Sequence, residues 1–128
     1  MRWAVAFALI GAPVWAEPVE VPSGQPVEFL DLVQDAEGTF DTTWRFRFVA
    51  PQIAREAGTV SLETALADID ALCSGFVLTW LGETGAAPDQ VIISLSDRAV
   101  EFGAAAPEAT QYFEAYRIED NSCIWERF

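Results

Sequence analysis

The run Ser61-Leu62-Glu63-Thr64-Ala65-Leu66-Ala67-Asp68-Ile69-Asp70-Ala71-Leu72-Cys73 restricts the fold of this chain more than any other stretch. Leu62, Ala65, Leu66, Ile69, Leu72 and Cys73 recur at the i, i+3, i+4, i+7 spacing that gathers apolar groups on one side of a helix. Glu63, Asp68 and Asp70 fall on the other side. The pattern therefore predicts a helix with one face in water and one face that a second layer must cover. Ser61 is placed to cap its N-terminus and Ser74-Gly75 to stop it. The apolar stripe ends in one of only two cysteines in the chain, which says where the helix can be fastened.

The first sixteen residues read as an export signal. Arg2 supplies a short positive start, Ala4 to Ala12 a compact apolar run, and Pro13 a break. Val14-Trp15-Ala16 then fits a small-x-small cleavage site, leaving Glu17 as the mature N-terminus. The apolar run is shorter than the roughly 20 residues of a spanning helix. No later segment reads as a membrane span, so the expectation is a periplasmic or secreted protein with no span after cleavage. In an oxidising compartment the two cysteines are expected to form one disulfide, Cys73 to Cys123. Closing a loop of that length is worth about 4 kcal/mol in the chain-entropy model.

The rest of the chain divides into an extended lead-in, residues 17–26 with Pro18, Pro22 and Pro26, and one domain, residues 27–128. Val27 to Val33 leans toward strand, and Asp35-Ala36-Glu37-Gly38 supplies turn chemistry. In Trp44-Arg45-Phe46-Arg47-Phe48 the rings point one way and the arginines the other, the alternation of a strand with one covered face. Pro51 ends or edges that strand. Phe76 to Trp80 reads as a further strand, Gly82 to Asp89 as a loop, and the β-branched run Val91 to Ser96 as a central strand. Gly103 to Pro107 is a connector. Tyr112 to Ile118 and Cys123 to Phe128 form a hairpin about Glu119-Asp120-Asn121-Ser122. The order is α+β, one main helix on an antiparallel or mixed sheet of about five to six strands. Phe29, Trp44, Phe46, Phe48, Phe76, Trp80, Phe102, Phe113, Tyr116 and Trp125 are expected to share its core.

Ile92-Ile93-Ser94-Leu95-Ser96-Asp97-Arg98, Phe102-Gly103, Phe113-Glu114-Ala115-Tyr116-Arg117 and Cys123-Ile124-Trp125 carry a resemblance. Over about residues 25 to 128 the chain resembles an uncharacterised family of small exported bacterial proteins, a domain of unknown function. The resemblance implies no activity.

Composition excludes much chemistry. There is no histidine and no lysine, hence no Ser-His-Asp or Cys-His site, no His-ligated zinc, no Schiff base and no P-loop. No cofactor motif is present, and the residue types point away from catalysis. After residue 16, six arginines face twenty carboxylates, a side-chain charge of −14. Such a surface repels nucleic acid and anionic lipid and suits a cationic protein partner or simple solubility. Carboxylate chemistry survives. Glu114 and Asp97 are the candidate catalytic pair for a glycan-acting enzyme, against readings as an outward strand residue and a strand-end ion pair. Asp35 to Asp41 faintly resembles a calcium loop but lacks the EF-hand spacing, so no metal site is assigned. Arg45 and Arg47 on one strand face are the candidate ligand-binding residues, able to hold a carboxylate or phosphate. The functional expectation is a non-enzymatic periplasmic interaction or accessory protein with an acidic surface. The alternatives are an inhibitor of a cationic envelope enzyme and a carboxylate-dependent glycan-acting enzyme.

Overall fold

The computed structural model describes residues 17–34 and 42–127. The expected signal peptide with its cleavage site at Ala16, and the acidic segment 35–41, lie outside the described residues.

Strands β1 (Glu17–Pro18), β2 (Glu28–Val33), β3 (Thr43–Val49), β4 (Gln90–Ser96), β5 (Gln111–Glu119) and β6 (Ser122–Glu126) lie side by side in chain order in one sheet. Every neighbouring pair is antiparallel except β3 and β4, which run parallel. A parallel pair cannot be closed by a tight turn. The connection here is a 3-10 turn, Pro51–Ile53, followed by a long helix, α1, Leu62–Thr84. The result is a mixed α+β sheet made of two antiparallel units joined through a helical crossover. The proline-rich lead-in doubles back on β2, with Val19 N–H donating to Val27 O at 2.8 Å and Gly24 turning the chain at φ 79°.

Alternation along β3 decides which face of the sheet the helix covers. Phe46 and Phe48 are fully buried beneath α1, while Trp44 is half-buried at its end. Trp80 stands edge-on to Trp44 at 6.0 Å and to Phe46 at 5.5 Å, and Phe76 meets Phe48 at 5.3 Å and Phe29 at 4.9 Å. Val91, Ile93 and Leu95 of β4 and Tyr116 of β5 complete the core beneath the helix.

The helix begins as expected, with the Ser61 hydroxyl accepting from Thr64 N–H. It does not stop at Ser74-Gly75, and Phe76 to Trp80 is not a strand. The backbone widens into one π turn over Cys73–Val77, then continues as α-helix from Leu78 to Thr84 and ends at Gly85, whose φ of 74° forms a left-handed cap. A mid-helix glycine costs about 1 kcal/mol relative to alanine. Covering Phe76, Val77, Trp80 and Leu81 against the sheet returns several times that. The expected loop over 82–89 accordingly begins only at Gly85.

Three further expectations change. Asp68 is completely buried rather than solvent-facing, whereas Leu62, placed on the covered stripe, is 49 % exposed. Phe102, Phe113 and Trp125 are about half exposed and stand outside the core. Finally, α1 is long and apolar enough to cross a membrane by length and composition, contrary to the reading that no later segment is. Its apolar side is, however, the side that packs on the sheet. The disulfide forms as expected: Cys73 in α1 is bonded to Cys123 in β6, with Cα atoms 6.3 Å apart.

Candidate functional site

The sheet face turned away from α1 holds the residues with unspent chemistry. Register places Arg45, Arg47 and Val49 of β3 beside Ile92, Ser94 and Ser96 of β4, and these beside Ala115, Phe113 and Gln111 of β5. All seven residues of β4 are buried although the helix covers only one of its sides. The arginine side chains and the segment 98–104 cover the other side, leaving a pocket of about 230 Å³ lined by Arg45, Arg47, Ser94, Ser96, Phe102 and Gln111 among others.

The two arginines expected to act as a pair have different fates. Arg47 is consumed by the protein: its Nε and one terminal nitrogen donate to the two oxygens of Asp31 at 2.7 and 2.8 Å, and the other donates to Val100 O at 2.6 Å. A bulge between Phe29 and Asp31 in β2 brings that carboxylate into line. Arg45 makes no ion pair among the described residues. Its guanidinium carbon lies 5.5 Å from the ring centres of both Phe102 and Phe113. Stacking of this kind serves the faces of the cation, not its N–H edges. Its Nε is buried with no hydrogen-bond partner, and so is the Ser96 hydroxyl of the same pocket. Burial, and next the adjacent Arg47 charge, lower the Arg45 pKa from the usual arginine range.

The candidate catalytic carboxylates are not brought together. Asp97 lies just past β4, almost wholly buried, and accepts from Arg98 Nε and a terminal nitrogen at 3.1 Å each and from Thr110 N–H at 3.2 Å. The hydrogen bonds from Arg98 lower its pKa, outweighing the opposing effect of burial, with Thr110 adding to the lowering. Glu114 accepts from Trp125 Nε1 at 2.5 Å. Its strand partner is Ile93, four residues before Asp97. At ~3.3 Å per residue the two backbone positions are offset by about 13 Å along the sheet, and each carboxylate is engaged by different partners. Among the described residues no group of three or more acidic or cysteine side chains is placed to hold a metal ion; Asp35 to Asp41 lie outside them.

Sequence reasoning found Arg45 and Arg47 but missed Phe102, Phe113 and Ser96 as their surroundings. One signal was available. Ser94 and Ser96 alternate with Ile93 and Leu95 in an otherwise apolar strand, marking a strand with one polar face.

No curated protein and no solved structure matches the chain. The family model of a family of unknown function, DUF6497, matches residues 5–128. Nearly the whole chain is covered, and with the fold consistent with one continuous domain, the protein belongs to that family of unknown function, DUF6497.

Proposed function

We propose that the protein is a non-enzymatic interaction module, exported after loss of residues 1–16, whose acidic surface meets a basic protein partner. The observation that carries this reading is what the two candidate catalytic carboxylates do: Asp97 holds Arg98 and Thr110, and Glu114 holds Trp125. Each is an acceptor in a structural contact, and the two share no partner. Three arginines, Arg47, Arg98 and Arg117, are paired with acids of the same chain. Among the described residues most of the remaining carboxylates are exposed and in no ion pair, a charge that speeds association with a cationic surface. Export is supported by the Cys73–Cys123 bond, which an oxidising compartment sustains.

The test is co-purification from a native envelope extract at low and then high salt, beside an assay of the purified protein on cell-wall glycan. One dominant basic partner, released at high salt, is the expected result. Glycan cleavage lost in both Asp97→Asn and Glu114→Gln would overturn the reading.

A further inference from the structure

We propose that the pocket between the sheet and the segment 98–104 is a binding site for a small monocarboxylate, held by the N–H edge of Arg45. The inference does not depend on a protein partner, and it concerns the face of the sheet opposite α1.

Charge selects the ligand class. Asp31 neutralises Arg47 by a two-point ion pair, so of the two pocket arginines only Arg45 is without an ion pair among the described residues. Glu101, on the pocket rim, forms no ion pair with either arginine among the described residues. One uncompensated cation, with a carboxylate already on the rim, matches a monoanion better than a phosphate dianion. Shape agrees. The rings of Phe102 and Phe113 both lie against the guanidinium, which favours a flat acceptor in the guanidinium plane, and a carboxylate is flat. The Ser96 hydroxyl, buried in the same pocket without a partner, is a further donor. At about 230 Å³ the pocket suits a ligand of a few heavy atoms. The lowered Arg45 pKa is consistent with a cation whose burial an anion would relieve.

The experiment follows the arginine Nε–Hε resonances of the disulfide-bonded protein while sodium benzoate, sodium acetate, inorganic phosphate or neutral benzamide is added. A saturable shift of the Arg45 resonance with benzoate or acetate, absent with benzamide, is expected. Arg45→Gln should weaken binding at least about tenfold. Glu101→Gln, on an exposed residue whose loss should not disturb the fold, should tighten it a few-fold. Tighter binding of phosphate than of either carboxylate would overturn the assignment. So would carboxylate shifts that never saturate, or that fall equally on Arg117 and Arg127 at the surface.

Discussion

Asp68 shows how much a single residue can organise here. Its carboxylate is buried in α1 and accepts from Ser23 N–H at 3.0 Å, the Ser23 hydroxyl at 2.6 Å and Gln25 Nε2 at 2.8 Å. It therefore pins the doubled-back lead-in to the helix. Asp68→Ala would strand three donors, one of them the buried Gln25 amide. The expected loss is about 3 kcal/mol in urea unfolding, with Asp68→Asn losing less. Tyr116 is a second such residue. Its hydroxyl donates to Asp70 of α1, tying β5 to the helix. Burial, then the hydrogen bond and charge of Asp70, raise its pKa well above the ordinary tyrosine value of 10.0. Below pH 10 the group is protonated in both folded and unfolded chains, so its contribution is fully present and does not vary with pH. Above pH 10 the unfolded chain releases the proton and the folded one keeps it, so stability falls as pH rises. In an alkaline titration Tyr116 should ionise only as the protein unfolds, and Tyr116→Phe should flatten the alkaline decline. Asp97 acts at the other end of the scale. Its lowered pKa contributes stability that is present above the ordinary aspartate value of 3.8 and is lost as pH falls further.

At the scale of the element, α1 can be tested against the shorter helix that local patterning suggests. Gly75 sits inside the π turn with nothing within 4 Å of where a Cβ would be, whereas Gly85 has φ 74°. Gly75→Ala is expected to stabilise by about 0.5–1 kcal/mol, as for any exposed mid-helix glycine. Gly85→Ala is expected to destabilise by about 1 kcal/mol, because alanine resists the left-handed region. If Gly75 were the cap, Gly75→Ala would instead destabilise, and thermal unfolding of the variant separates the cases. The same helix shows why Phe76 to Trp80 was misread as a strand. A short apolar run carries no period that tells helix from strand. The contacts that settle it come from Phe29, Trp44, Phe46 and Phe48, all distant in sequence.

For the whole molecule, the disulfide and the charge act in opposite directions. The bond between Cys73 and Cys123 spans a sequence separation of 50 and joins helix to final hairpin. Replacing both cysteines by serine should lower stability by about 4 kcal/mol, a large share of the roughly 5–15 kcal/mol typical of a domain. Thiol titration of the denatured, unreduced protein should find none free. The net charge of −13 on the full chain favours solubility and repels itself within the compact state. Unfolding temperature should therefore rise as sodium chloride is raised from low ionic strength, because salt screens that repulsion.

Patterns of short period were legible in the amino-acid sequence. Alternation placed β3 and sent Arg45 and Arg47 to one side; β-branched residues marked β4 as central; Ser61 marked the start of the helix; and two cysteines announced their bond. These features rest on neighbouring residues, so the chain determines them locally. Tertiary structure decided the rest. It extended the helix through Gly75, because covering Phe76 and Trp80 outweighs a glycine's preference. It buried Asp68, because Ser23 and Gln25 arrive from the far end of the chain with the donors a carboxylate needs. It also separated Arg47 from Arg45, giving the first to Asp31 across a bulge and leaving the second against two phenylalanines. Which charge finds a partner depends on contacts between distant segments, and no local pattern encodes them.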